Sequence, residues 1–421
     1  MTVSEVGGTP AIGAFAGPIA RSSVARVGAA TALTAVCGYA VVYLAARDLA
    51  PAGFSVFAVF WGAFGLVTGA ANGLLQETTR EVRAPGYAEM LPGRRTHPMR
   101  VAGMVGIGAA VVIAGSSPLW SSRVFATAHW LSVGLLSVGL AGFCLHATLL
   151  GMLAGTNRWT QYGALMVTDA VIRVAVAAAT VVVGWHLVGF LWATVAGALA
   201  WLIMIAASPT TRAATRLLTP GGTAIFLRGA AHSITAAGAG AILVMGFPVL
   251  LKVTSNQLGA EGGVVILAVT LTRAPLLVPL TAMQGNLIAH FVDERTERLR
   301  ALIAPAALVG GIGAVGVLAA GLVGPWLLRV GFGPDYHAAG PLLAWLTAAA
   351  VTIAMLTLTG AATVAAALHR AYALGWVCAT VASTLLLVLP LPLETRTVVA
   401  LLCGPVVGIG VHLAALARSR G

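Results

Sequence analysis

The stretch QYGALMVTDAVIRVAVAAATVVVGWHLVGFLWATVAGALAWLIMIAA, residues 161–207, carries only two charged side chains, Asp169 and Arg173. About 20 apolar residues in a helix cross the ~30 Å hydrocarbon core of a bilayer. The run therefore predicts two crossings, 161–184 and 186–207, joined by a tight turn at Gly184-Trp185. Ten further stretches obey the same rule: 24–46, 53–75, 101–120, 127–154, 223–252, 262–290, 301–328, 340–365, 371–391 and 397–416. The connections between them are short and leave no room for a soluble domain. The expected fold is all-α and integral to the membrane, with twelve transmembrane helices. Hydrophobic residues make up 59% of the 421 and charged residues 9%, a balance that excludes a water-soluble domain of this length.

The net charge of +12 would suit a nucleic-acid partner, but its distribution argues against one. With a cytoplasmic N-terminus, 15 basic residues fall on the inner side and five on the outer: Arg47, Arg123, Lys252, Arg329 and Arg396. The remaining four, Arg26, Arg173, Arg228 and Arg273, lie within spans. An inner excess of this size is a topology signal with some attraction to anionic lipid. It predicts both termini in the cytoplasm. Cys37, Cys144, Cys378 and Cys403 all sit in apolar spans without metal-ligand spacing and read as packing residues. Met1–Ala20 lacks the basic start and apolar core of a cleavable signal, so the first span is expected to serve as its own. One lysine against 23 arginines suggests a GC-rich bacterial genome, hence a bacterial cytoplasmic membrane.

The two halves echo each other. Leu49-Ala50-Pro51-Ala52-Gly53 after the first span matches Leu258-Gly259-Ala260-Glu261-Gly262, 209 positions on. Pro118-Leu119-Trp120 with Arg123 matches Pro325-Trp326 with Arg329, about 206 positions on. Asn157-Arg158 matches His369-Arg370, at 212. Six spans per half is an even number, so both halves enter the membrane in the same direction. Parallel repeats of this kind place a site between two lobes. The expected organisation is a cytoplasmic tail (1–22), an N-lobe (23–207), a linker (208–222), a C-lobe (223–417) and a cytoplasmic tail (418–421), with a central cavity between the six-helix lobes.

Several turns resemble the polysaccharide-exporter branch of the multidrug/oligosaccharidyl-lipid/polysaccharide flippase superfamily. Gly331-Phe332-Gly333-Pro334-Asp335-Tyr336, followed by Ala338, Ala339, Pro341-Leu342-Leu343 and Trp345, is similar to that family's turn between spans nine and ten. Residues 46–54, ARDLAPAGF, resemble its turn after span one, and Gly155 through Trp192 its "g-x-r" turn and fifth and sixth spans. The resemblance implies export of a polyprenyl-(di)phosphate-linked glycan from the cytoplasmic to the outer leaflet. The acid that the family often carries in span seven is missing near Phe247–Leu250.

A charged side chain at mid-membrane costs ~2.5–3.5 kcal/mol on insertion scales, so each is a functional candidate. Arg273 stands about ten residues into span eight, ahead of Pro275 and Pro279. Those prolines are expected to disturb the helix and free carbonyls, and an arginine there suits a diphosphate. Arg26 and Arg228 begin spans one and seven, where they either meet a headgroup or snorkel to the interface. His232 shares a face with Arg228, and His146 is isolated; both read first as packing. Asp169 and Arg173, at i and i+4, form either a structural ion pair or an ion-coupling site. Asn72 and Gln76 on span two, with Gln284 and Asn286 on span eight, either line a sugar path or link helices.

No acid pair occupies an outer loop, as a membrane glycosyltransferase requires, and no Walker-type loop is present. The expected function is flipping of a polyprenyl-linked glycan by alternating access, without catalysis, cofactor or metal. The expected protein is a monomer surrounded by membrane lipids, with a glycan polymerase or glycosyltransferases as partners. The alternatives are a cation-coupled multidrug or metabolite antiporter of the same fold, favoured by an acidic cavity, and a glycan polymerase or glycosyltransferase.

Overall fold

The computed structural model describes residues 21–83, 95–283, 287, 290–291 and 298–419. The chain is helical almost throughout. Helix α1 (Arg21–Arg83) holds the first two apolar stretches in one run that turns at Ala50, where φ is 53° and ψ 170°. Proline disfavours helical geometry in the residue before it, so Pro51 forces the break onto Ala50. Helices α2 (Pro98–Val124), α3 (His129–Gly155) and α4 (Trp159–Val183) follow. Helix α5 (His186–Ala196) passes through a 3-10 turn, Gly197–Leu199, into α6 (Ala200–Ala207). A short α7 (Pro209–Ala214) opens the linker, its first turn capped by the Ser208 hydroxyl accepting from the Thr211 amide.

Helix α8 (Thr223–Val244) meets α9 (Phe247–Val253) at an angle of 67°. The seventh stretch, expected as one continuous span over 223–252, is therefore broken after Val244. Then come α10 (Gly259–Ala282), α11 (Arg298–Ala301), α12 (Ile303–Phe332), α13 (Gly340–Ala365), α14 (His369–Leu387) and α15 (Leu393–Arg418). Among the described residues, ten helices are long and apolar enough to cross a membrane, or eleven if α8 and α9 form one crossing. Strand β1 (Arg95–Thr96) pairs antiparallel with β2 (Thr219–Pro220), which pins the linker to the connection after α1. Thr96 and Thr219 are buried there, and the Thr96 hydroxyl donates to Gly221 O at 3.0 Å.

Helices α2, α4 and α5 pack around α3 and α1, while α12, α14 and α15 gather on α13, and the two sets meet where α1 contacts α8 and α10. Contact along α1 and α8 is close because α1 presents Gly62, Gly69 and Gly73 on one face. A Cβ at Gly73 would lie 2.2 Å from the Ile234 backbone nitrogen, so only glycine fits. At the opposite end of this contact, the turn after α12 reaches across to α1. Tyr336 is fully buried, and its hydroxyl donates to Ala46 O at 2.9 Å. The outward faces of α2 and α12 are apolar and bare, with Ile107, Val111, Val112, Leu308, Val315 and Leu322 all exposed. Patches of this extent belong against lipid. The chain is a multi-pass membrane protein.

Candidate functional site

The break between α8 and α9 creates the site. A helical carbonyl normally accepts from the amide four residues on. For Val244 that residue is Pro248, which has no N–H, so the carbonyl is left without its helical partner. Arg273 of α10 takes it: Nη1 donates to Val244 O at 3.3 Å. The guanidinium also lies over the Phe247 ring, 5.2 Å from its centroid. Arg273 is only 7% exposed, and its Nη2 has no hydrogen-bond partner. No carboxylate pairs with it among the described residues. Tyr39, from the first limb of α1, is near enough to interact with it electrostatically. A buried charge with no ion partner among the described residues is costly, by several kcal/mol, and the Val244 carbonyl and Phe247 ring offset only part of that.

This differs from the sequence expectation in one respect. Pro275 and Pro279 do not interrupt α10, which runs unbroken to Ala282. The carbonyl that Arg273 uses comes from the facing helix and is freed by Pro248.

The second intramembrane cluster is self-contained. Arg173 grips Asp169 with two parallel bonds, Nε to Oδ2 and Nη2 to Oδ1, each 3.0 Å. Its remaining nitrogen donates to the Thr194 carbonyl, and Phe64 covers the guanidinium at 5.4 Å. Gly197 in the 3-10 turn makes the space, since a Cβ there would lie 2.2 Å from Asp169 Oδ1. The geometry is that of a closed ion pair whose carboxylate is already occupied. His146, buried and stacked on Phe143 with ring centroids 5.4 Å apart, lies close enough to feel the Asp169 charge.

Arg26 and Arg228 are both exposed at the starts of α1 and α8. Arg26 Nη1 donates to Thr160 Oγ1 at 2.9 Å, whereas the Arg228 side chain meets no partner among the described residues. His232 Nδ1 donates to Arg228 O at 2.8 Å, a contact within its own helix. At 100° per residue, Gly69, Gly73 and Glu77 face α8, while Leu75, Thr78 and Val82 face α3 and Leu74 packs with Val101 and Phe226. Asn72 and Gln76 fall on the remaining face, the first half-buried and the second exposed. Gln284 and Asn286 lie outside the described residues.

Two groups escaped the sequence reading. Tyr39 carries no signal beyond being a tyrosine in an apolar span. Glu77 lies beyond the apolar stretch, which stops at 75, yet α1 continues to Arg83. The signal was its spacing from Arg80, which pairs with it at 2.6 Å. Glu77 is buried at the contact with α8, its carboxylate set against Gly229.

Known proteins resemble this chain at two levels. It is 79% identical over 422 residues to uncharacterized protein Rv3630 of Mycobacterium tuberculosis (strain H37Rv), covering 99% of this chain and 98% of that protein. It is 76% identical over 416 residues to uncharacterized protein Rv1510 of the same strain, covering 99% and 96%. No family model matches the sequence. Among solved structures, the inward-facing conformation of a multidrug resistance MATE family transporter of the MOP superfamily superposes with a TM-score of 0.70. Identity is 15%, and 96% of each chain is covered. The outward-facing conformation of such a transporter gives 0.60 at 14% identity, covering 94% of this chain and 95% of that one. A MOP superfamily transporter from Pyrococcus furiosus, described as having a binding pocket of reverse polarity, gives 0.58 at 14%, covering 95% and 96%. The fold is that of these transporters.

Proposed function

The chain belongs to one family with the Mycobacterium tuberculosis proteins Rv3630 and Rv1510, and we propose that it flips a polyprenyl-(di)phosphate-linked glycan to the outer leaflet by alternating access. The observation that carries this reading is Arg273: a buried guanidinium with no acid beside it, and one nitrogen without a hydrogen-bond partner, among the described residues. Such a group wants an anion from outside the protein, and a diphosphate supplies one. Arginine offers it the planar fork that phosphate oxygens match.

On this reading the turn at Ala50 separates two crossings, α8 and α9 share one, and twelve crossings form lobes 23–207 and 223–417 joined by the linker 208–222. Tyr336 and Ala46 close the outer side, which agrees with the higher similarity to an inward-facing transporter. Arg26 and Arg228 stand at the cytoplasmic mouth to meet the incoming headgroup. Asn72 and Gln76 line the sugar's path, and Gln284 and Asn286 are assigned there from sequence. The lipid tail stays in the membrane at a lateral opening. Outward movement of anionic charge against an inside-negative potential is worth ~2.3 kcal/mol per charge per 100 mV. A potential of that size drives export without an ion antiport. The protein is placed in the bacterial cytoplasmic membrane with both termini inside.

The fold neighbours favour a second reading, a cation-coupled multidrug antiporter. A cation site needs an available carboxylate. Asp169 is held by Arg173 and Glu77 by Arg80, which weighs against it. The test is depletion in cells that make lipid-linked glycans. The flippase reading expects the lipid-linked intermediate to build up on the cytoplasmic leaflet. Unchanged intermediates together with new sensitivity to cationic dyes would replace it with the antiporter.

A further inference from the structure

A cleft of about 240 Å³ lies between the second limb of α1, the end of α2 and the segment that runs from α9 into α10. Its walls are chiefly apolar, with Val56, Val124 and Leu258 among them. Ser55 also lines it, but its hydroxyl is already used, donating to Ala52 O at 2.7 Å. Lys252, half-buried at the end of α9, is the one charged residue in the lining. Its ammonium has three protons to donate, and the structure gives it one acceptor, Asn256 O at 3.4 Å. Glu261, in the first turn of α10, is exposed, and no carboxylate pairs with Lys252 among the described residues.

This lining selects its ligand. A cation would meet a positive charge and no acid, and a freely soluble anion would gain nothing from the valine and leucine walls. An amphiphile with a negative head satisfies both, its chain on the walls and its head on the ammonium. The position agrees, because three helix ends gather here: α2 stops at Val124, α9 at Val253 and α10 starts at Gly259. Ends of membrane-crossing helices lie at head-group level, and the neighbouring apolar side chains Leu119 and Val253 are exposed as a lipid-facing surface requires. The volume is below the ~300–1,000 Å³ that encloses a whole drug-sized ligand, so the cleft takes part of a chain and not a glycan head group. We infer that it seats an acyl chain of an anionic phospholipid from the surrounding bilayer, with the lipid phosphate on Lys252. The site is separate from Arg273 and does not depend on which substrate the transporter carries. Its walls come from both halves of the chain, so a movement of α1 against α10 changes its shape. A lipid that binds one shape better shifts the equilibrium between conformations.

The test uses the full-length protein, purified in detergent, stripped of lipid and titrated with phosphatidylglycerol or with phosphatidylcholine of the same chains. Bound lipid is counted by native mass spectrometry. Wild type should prefer phosphatidylglycerol. Lys252→Gln should weaken phosphatidylglycerol binding about 5-fold, the contribution of one basic residue at a membrane surface, and leave phosphatidylcholine unchanged. Arg329→Gln, which removes an exposed cation at the end of α12, should change neither. Val56→Trp, which fills the cleft from its half-buried rim, should weaken both lipids. Phosphatidylglycerol carrying a photoreactive group in its acyl chain should cross-link to peptides that hold Val56, Val124 or Leu258. Wild-type binding in Lys252→Gln would overturn the inference. An equal loss in Arg329→Gln would reduce the effect to general surface attraction and overturn it too, as would cross-links that fall only on other helices.

Discussion

Removing the Tyr336 hydroxyl should loosen the contact between the turn after α12 and α1, which we propose closes the outer side, while leaving its packing intact. The ring is 1% exposed, lies edge-on to Phe54 at 6.2 Å and tilts against Phe332 at 5.9 Å. Burial, and secondarily the nearby Asp335 charge, push its phenol well above the ordinary range, so it remains a donor at any physiological pH. Tyr336→Phe keeps those ring contacts and deletes only the 2.9 Å bond to Ala46 O. A neutral hydrogen bond contributes about 0.5–1.5 kcal/mol net. The ratio of outward-open to outward-closed protein should therefore rise roughly 2- to 13-fold, at 1.36 kcal/mol per factor of ten. Tyr336→Ala also removes the ring and should shift the ratio further. The assay is pulsed electron-electron distance measurement between spin labels at Ala52 and His337, both exposed, in a background without native cysteines. A growing long-distance population is expected. Distributions that stay the same in both variants would show that this contact is not the gate.

Three other predictions follow from the same geometry. Single cysteines at Arg95 and Arg298 should resist an impermeant thiol reagent added outside, while those at Asp335 and Glu394 should label; the reverse pattern would invert the topology. Asp169→Asn should destabilise the protein by about 3–5 kcal/mol by stranding Arg173, and Asp169→Asn with Arg173→Met should recover much of that in thermal unfolding. Full recovery with transport intact would identify a structural pair, whereas a folded double variant that no longer responds to an ion gradient would identify a coupling site. Gly73→Leu should lower thermal stability, since overpacking costs ~1–3 kcal/mol and the obstruction is backbone at Ile234. An unchanged melting temperature would mean that α1 and α8 are not in close contact there.

Local rules carried the sequence reading a long way. Apolar length located most of the described helices but not the break inside the seventh stretch, and the gap left between 46 and 53 holds the turn that the structure places at Ala50. The i, i+4 spacing of Asp169 and Arg173 was enough to foresee their pairing. What sequence could not show was which distant groups meet. Tyr336 and Ala46 are 290 positions apart, so their motifs read as separate turns until the fold joined them. Pro248 frees a carbonyl by a local rule, but that Arg273 claims it depends on how α10 packs against the α8–α9 break. Gly197 has meaning only as the space that Asp169 and Arg173 fill. Glu77 was missed for another reason: hydropathy measures where a helix stops being apolar, not where it stops being a helix.

The central proposal is that Arg273, buried and without an ion partner among the described residues, receives the phosphate of a lipid-linked glycan that crosses the bilayer. Its most direct test is leaflet-resolved flipping in proteoliposomes, with a polyprenyl-diphosphate glycan and purified wild type, Arg273→Ala and Arg273→Lys. Wild type should flip the lipid, and an inside-negative potential should speed outward movement. Arg273→Ala should abolish most of the activity at unchanged protein level, and Arg273→Lys should restore only part, because an ammonium keeps the charge but not the fork. Wild-type protein that flips no such lipid yet exports cationic dyes would contradict the account.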